Sequence, residues 1–339
     1  MTTVRRPETL LVMSGDWAGD QFGPAELARL RTLATLGDPV VAQELDSPAV
    51  RRRLAETEVL ITSWGCPVLD EDVLAAAPRL RAVLHAAGTV RAHVPDAVFE
   101  RGILVTTAAD ANAEPVAQYT LAAVLWALKK VPFLAADARR HRTDWDYRHR
   151  HGELSAHDRT VVLVGHSRIG RRVARLLGAL GTGRVLVVDP VADPAEITAT
   201  GAEHVTLAEA LPQADVLSLH APDLPETRHL IGAAELAALP EGAVLVNTAR
   251  GALVDTAALE AACASGRLYA ILDVTEPEPL PAGSPLYDLP NVLITPHVAG
   301  SLGSETRRLA ATALDELERY AAGLPPLDAV TRDTLGVQA

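Results

Sequence analysis

The stretch V-V-L-V-G-H-S-R-I-G-R-R-V-A-R-L-L, Val161 to Leu177, decides how this chain folds. Its first four residues are a short apolar run, read as a buried strand. Gly165 and Gly170 bracket a tight turn, and R-R-V-A-R-L-L carries a helix onward. Strand, turn and helix N-terminus together make a pyrophosphate site, because first-turn N–H groups and the helix dipole both favour an anion. The usual G-x-G-x-x-G is broken, since Ser167 stands at the second glycine. Serine is the smallest polar replacement, and its hydroxyl can donate to a phosphate oxygen. Nineteen residues after Gly170, the strand V-L-V-V-D-P (Val185 to Pro190) ends in Asp189. A carboxylate there accepts from both adenosine ribose hydroxyls and repels a 2′-phosphate, and no arginine follows it in D-P-V-A-D-P. The expected cofactor is NAD(H), in preference to NADP(H).

Outward from this stretch, short apolar runs alternate with helical patterns, the signature of parallel α/β architecture. One series of candidate strands lies at Leu10–Met13, Val59–Thr62, Ala82–Leu84 and Ile103–Val105, with helices such as Pro24–Thr35 between them. A denser series follows at Val161–Val164, Val185–Val188, Val216–Leu219, Val244–Val246, Ala270–Leu272 and Val292–Ile294. Six strands with crossovers match a complete dinucleotide-binding sheet. The length of 339 residues suits two such domains. Between the series runs Glu114–Lys130, apolar on almost every side and therefore expected to be buried, with Pro115 in its first turn and Lys129 and Lys130 at its negative end. A last helix spans Glu305–Ala322, with Leu309, Ala313, Leu317 and Tyr320 on one face, and ends at Gly323.

The chemistry sits in three frames near the C-terminal end. Arg250 lies in V-L-V-N-T-A-R-G-A-L-V-D (Val244 to Asp255), Glu278 in L-D-V-T-E-P-E-P-L-P (Leu272 to Pro281), and His297 in L-P-N-V-L-I-T-P-H-V-A-G (Leu289 to Gly300). An arginine, a carboxylate and a histidine are what a reversible 2-keto acid reduction requires. The guanidinium grips a substrate carboxylate bidentately, and an imidazolium held charged by the carboxylate protonates the carbonyl oxygen. Glu276 also precedes a proline and competes with Glu278 for the acidic role.

These frames, in this order and over roughly Trp64 to Gly323, resemble the D-isomer-specific 2-hydroxyacid dehydrogenases. The resemblance implies two doubly wound parallel-sheet domains. A discontinuous, flavodoxin-like substrate domain would occupy residues 1–109 and 301–339, and a Rossmann NAD-binding domain residues 110–300. It assigns the acid role to Glu278, five residues after Asp273 and just before Pro279. It implies Arg168 and Ile169 along the pyrophosphate, His220, Ala221 and Pro222 beside the adenosine with Thr227 nearby, and Thr120, Thr248, Ala249 and Gly300 toward the nicotinamide. Asp273 would meet the carboxamide. For substrate it points to the loop Trp64–Gly65–Cys66 and to A-A-G-T-V-R, Ala86 to Arg91, where Gly88 and Thr89 offer backbone N–H groups. Arg91 departs from the family pattern, and either binds a second anionic group or makes a salt bridge. The family also places the Glu114–Lys130 segment at a dimer interface, so a homodimer is expected. Two other roles known on this fold stand as alternatives: an NAD(H)-sensing binding protein of the co-repressor type, and a phosphite-type oxidoreductase.

Composition narrows the partners. Net charge is −12, so nucleic acid and anionic membrane are poor partners. The first fifteen residues hold only a short apolar run, too short for a signal-peptide core or a membrane span. Cys66 and Cys263 are far apart and lie in no C-x-x-C, which fits a reduced, cytoplasmic compartment. The stretch Arg139–Glu153 is rich in histidine (His141, His149, His151). It lacks metal-ligand spacing, and Asp144 and Asp146 dilute its charge, so it reads as a surface arm and no metal is expected.

Overall fold

The computed structural model describes residues 5–181 and 183–335. The outermost residues of the expected substrate domain, 1–4 and 336–339, lie outside that range. Thirteen strands are present among the described residues: β1 (Glu8–Val12), β2 (Thr35–Ala42), β3 (Val59–Thr62), β4 (Ala82–His85), β5 (Leu104–Thr107), β6 (Arg159–Val164), β7 (Gly183–Val188), β8 (Glu203–His204), β9 (Val216–Leu219), β10 (Val244–Asn247), β11 (Tyr269–Leu272), β12 (Val292–Ile294) and β13 (Ala329–Val330). The chain divides into two compact units, residues 5–112 with 301–335, and residues 113–300.

The first unit holds a six-stranded sheet in the order β13-β5-β4-β3-β1-β2. The pairings from β2 to β5 are parallel, and β13 closes the far edge antiparallel on β5. This is the 2-1-3-4-5 winding of flavodoxin-like domains with one strand added. The second unit holds seven parallel strands in the order β12-β11-β10-β9-β6-β7-β8, the 3-2-1-4-5-6 winding extended by one. Every residue of β3, β4, β9, β10 and β11 is buried. Helices cover both faces of a parallel sheet, which is why these strands read as unbroken apolar runs instead of alternating ones.

Three strands are absent from the sequence reading. β2 contains Gly37, Asp38 and Pro39, which read as a turn; proline is tolerated because β2 is an edge strand whose register shifts opposite Thr9 to Leu11. β8 and β13 are two residues each, too short for any period. The six strands expected for the cofactor sheet are therefore its first, second and fourth to seventh, and the third is β8.

The long helix also corrects the sequence reading. It spans Ala109–Leu128, so Pro115 lies inside it and not in its first turn. Asn112 N already donates to Ala108 O at 3.0 Å, and Thr107 Oγ1 accepts from Ala109 N, so the helix starts upstream. Lys130 is not a solvated cap on this helix: it takes a left-handed conformation, is buried, and donates to Gly242 O beneath the Tyr269 ring. Nor is the helix buried all round. Gln118, Ala122 and Trp126, four apart and thus on one side, are exposed, Trp126 by 51%.

Three of the buried histidines, His85, His93 and His220, give the fold an acid limit. Burial, and then the neighbouring His93, hold His85 well below its ordinary value. Burial lowers His93 to about 4 and His220 to about 3. The unfolded chain binds these protons near 6.5 and the folded chain does not. Their neutral burial therefore supports the fold above that pH and is lost as pH falls from 6.5 toward 4 and 3. His93 and His220 each account for about 2 kcal/mol lost at about pH 5. Thermal unfolding should shift down by several degrees between about pH 7.5 and about pH 5; a flat melting temperature over that window contradicts this account.

Candidate active site and cofactor loop

The β6 turn is built by contact and not by glycine flexibility alone. Gly165 has φ +105°, and a Cβ there would stand 2.6 Å from Ala221 N. A Cβ on Gly170 would stand 2.1 Å from Gly165 O. Ser167 needs no glycine: its φ is −65°, its ψ −177°, and it N-caps the helix Arg168–Leu180, its Oγ accepting from Gly170 N at 3.3 Å. The cap still leaves the hydroxyl hydrogen to donate. The helical ladder begins only at Arg171 N, which donates to Ser167 O at 3.0 Å, and the start of a helix is where backbone N–H groups and the dipole favour an anion. Ile169 packs on the core behind. A dinucleotide's pyrophosphate fits these residues, because the backbone approaches closely where the two glycines stand.

Asp189 is held firmly. Its Oδ2 accepts from His166 N at 2.7 Å, and its Oδ1 from Val191 N at 2.8 Å and Ala192 N at 2.9 Å. Half-burial pushes the carboxyl up, but these three donors outweigh it and hold it below the ordinary carboxylate value. Three donors leave an acceptor site on Oδ2, so the carboxylate accepts further bonds chiefly through that oxygen. On the neighbouring strand end, His220 is fully enclosed, paired with Ser218 Oγ at 2.9 Å, while it and Ala221 offer backbone against Gly165. Thr227 Oγ1 donates to Pro222 O at 2.6 Å and accepts from Leu224 N, fixing the turn that follows.

Arg250, Glu278 and His297 follow β10, β11 and β12, three adjacent strands, at their carboxyl ends. His297 Nδ1 and Glu278 Oε1 are 2.6 Å apart. Glu276 is engaged elsewhere, with Arg228 at 2.8 Å and His229 at 3.6 Å. Nδ1 faces the carboxylate, so Nε2 is the ring nitrogen turned away from it. His297 has φ +54°, and its loop is held by buried Asp273, whose Oδ1 accepts from Thr295 Oγ1 at 2.6 Å and Val298 N at 2.9 Å and whose Oδ2 accepts from Ala299 N at 2.9 Å. Gly300 follows directly. Arg250 is set by Asn247, which donates to Arg250 O at 2.9 Å and accepts from Ala249 N at 3.1 Å; Arg250 Nη1 donates to Ala249 O at 2.6 Å. Thr120 and Thr248 are both buried and share a hydrogen bond of 2.8 Å.

In the first unit, Trp64 and Gly65 follow β3. Gly65 has φ +81°, and a Cβ there would stand 2.9 Å from Ser14 Cβ, so this glycine is required. Gly88 meets only Asn112 Nδ2, at 3.6 Å, which leaves room for a side chain. Thr89 Oγ1 accepts from Arg91 N at 3.4 Å, and Arg91 Nε donates to Leu335 O at 2.8 Å. Among the described residues, no group of three or more histidine, cysteine, aspartate or glutamate side chains is placed to hold a metal, and no helix is long and apolar enough to cross a membrane.

Residues 121–299 match the model of the D-isomer specific 2-hydroxyacid dehydrogenase, NAD binding domain. The chain belongs to this family. It is 35% identical over 276 residues to the glyoxylate reductase of Aeropyrum pernix, covering 80% of this chain and 82% of that one. It is 37% identical over 294 residues to the D-3-phosphoglycerate dehydrogenase of Mycobacterium tuberculosis, covering 86% of this chain but 54% of the relative, so it spans about half that enzyme's length. Among solved structures, the TT0316 protein of Thermus thermophilus superposes with a TM-score of 0.76 at 34% identity, over 95% of this chain and all of that one.

Within this family frame, four residues were not singled out along the chain: Asn247, Tyr119, Gly251 and Trp17. Asn247 orders the Arg250 turn; its signal was an amide closing an apolar strand. Tyr119 bonds Thr295 Oγ1 at 2.7 Å, extending the Asp273 network; its signal was a lone hydroxyl in an apolar helix. Gly251 is the point where the Arg250 loop touches the Thr275–Glu276 backbone. Its glycine was visible, but the contact was not. Trp17 packs against Trp64 with the ring planes tilted by 56°, and it carried no signal at all.

Proposed function

We propose that this chain is an NAD-dependent D-2-hydroxyacid dehydrogenase that acts as a 2-keto acid reductase. The pairing of His297 Nδ1 with Glu278 at 2.6 Å carries this reading, because it orients the ring and leaves Nε2 to serve as the general acid. When bound, NADH supplies the hydride that reaches C2 of the substrate. Arg250 grips the substrate carboxylate. His297 delivers the proton to the carbonyl oxygen and takes it back in oxidation. The family and the names of the two relatives support a small 2-hydroxy acid as substrate.

NADH is preferred over NADPH in this reading. Asp189 is charged at neutral pH and tied in place by three backbone donors, so a 2′-phosphate beside it would meet a fixed like charge. Asp189→Ala should raise the Kd for NADH about tenfold to a hundredfold, the scale of one or two bonds to a charged acceptor. The exposed line Gln118, Ala122 and Trp126 on the Ala109–Leu128 helix supports a homodimer through that face, which a monomeric mass in sedimentation would remove.

The test of the function is NADH oxidation at 340 nm against glyoxylate, hydroxypyruvate, pyruvate, phenylpyruvate and 3-phosphohydroxypyruvate, with NADPH in parallel. Turnover of at least one keto acid, faster with NADH, is expected. Tight NADH binding with silence across the panel rejects the reductase and leaves a nucleotide-sensing role or an untested donor of the phosphite type.

A further inference from the structure

We infer that Lys130 is a nucleophilic amine whose cavity admits small uncharged aldehydes and holds them as imines. The site lies wholly within the second unit and stands independently of the reductase reading.

The side-chain cations of this chain are arginine except at Lys129 and Lys130. Lys129 is exposed, whereas Lys130 is buried. A guanidinium stays charged, but a buried lysine can lose its proton and attack carbon. Lys130 lines a cavity of about 140 Å³, large enough for a molecule of a few carbons. The walls come from the amino-terminal edge of the seven-stranded sheet: Arg159 opens β6, Asp215 precedes β9 and Gly242 precedes β10. Arg250, Glu278 and His297 stand at the carboxyl ends of that sheet, so the two places are distinct. Lys130 Nζ donates to Gly242 O and lies 4.2 Å from the centre of the Tyr269 ring.

Burial, the largest influence, lowers the Lys130 amine to about 8; Asp215 opposes this and Arg159 adds to it. At about pH 7, roughly a tenth of the molecules then hold a neutral amine, against about one in 2,500 for an exposed lysine. That nitrogen adds to the aldehyde carbon, the oxygen leaves as water, and a C=N bond remains. Nothing is oxidised or reduced. His151 lines the same cavity, with Nε2 2.7 Å from Asp137 Oδ2 and Nδ1 3.0 Å from the Tyr269 oxygen, a line of groups that can pass the protons these steps move. Charge selects the reagent. Glu153, Asp215 and Glu241 line the cavity, and Arg159 is paired with Asp215 at 3.1 Å and Glu153 at 3.8 Å. These carboxylates disfavour an anionic reagent. A protonated imine keeps the positive charge that they and the face of Tyr269 favour.

Reductive trapping on the intact protein tests this. Acetaldehyde and cyanoborohydride are added at about pH 7, and the peptide holding both lysines is sequenced by mass spectrometry. Label should enter Lys130 about tenfold faster than Lys129 or more, a modest share of the gain in neutral amine. In guanidinium chloride the two neighbours should label at about the same rate, since only the fold distinguishes them. Glyoxylate, an aldehyde that carries a carboxylate, should show a preference for Lys130 over Lys129 about tenfold smaller than acetaldehyde does. Equal labelling of the two lysines in the folded protein, an untouched Lys130, or a preference that survives unfolding overturns the site. An undiminished preference with glyoxylate overturns its restriction to uncharged aldehydes.

Discussion

His297→Asn is expected to lower kcat for keto acid reduction by about 10²–10⁴-fold, the scale of a lost general acid. The asparagine is chosen for the backbone. His297 sits at φ +54°, a left-handed conformation that asparagine adopts more readily than other non-glycine residues, so the loop need not move. Asp273 continues to hold Thr295, Val298 and Ala299. The variant therefore removes the proton carrier and little else, and its Kd for NADH should stay within about twofold. Stopped-flow measurement of NADH oxidation decides this. A variant keeping more than about a tenth of wild-type kcat removes His297 from the proton transfer.

Gly251→Ala should be nearly as damaging although Gly251 carries no chemistry. A Cβ there would lie 2.0 Å from Thr275 C, 2.1 Å from Thr275 O and 2.5 Å from Glu276 N. These are backbone atoms, with no flexible side chain to swing aside. The Arg250 loop or the loop leading to Glu278 must shift, and a displacement near 1 Å in a catalytic group costs about 10²-fold in rate. The same overpacking should cost about 1–3 kcal/mol of stability. The expected result is a folded protein with a lowered melting temperature, NADH binding close to normal and kcat/KM down about 10²-fold. Since the glycine loop at Gly165 is on other strands, cofactor affinity separates misplacement from general unfolding. Wild-type kcat/KM in Gly251→Ala would show that the two loops do not set each other's position.

Much of the site was legible because its signals are local. A strand, a tight turn and a helix start are consecutive in Val161–Leu177, and the strand-end aspartate follows at fixed spacing. The frames around Arg250, Glu278 and His297 each combine a strand with the loop at its carboxyl end. Other features were hidden because they depend on partners distant in sequence. The choice between Glu278 and Glu276 was open along the chain; in space Glu276 is taken by Arg228 and His229, while Glu278 reaches His297. Ser167 looked like a defect in a glycine motif, yet its backbone is extended and its hydroxyl caps the helix. Arg91 looked like a cation available to substrate, yet its Nε meets the carbonyl of Leu335, 244 residues away.

The chain's own order of residues, then, was sufficient for most of the architecture: apolar runs specify parallel strands between helices, and burial on both faces enforces that pattern in the inner strands. It also carried the strand, turn and helix start around Gly165 to Gly170 and the strand-end frames in which Arg250, Glu278 and His297 stand. Folding in three dimensions chose which carboxylate meets His297, which short segments complete each sheet, and where Pro115 falls in its helix. It also brought Trp17 against Trp64. Those outcomes rest on hydrogen bonds, ring contacts and backbone collisions between residues tens to hundreds of positions apart, and no local propensity carries information about them.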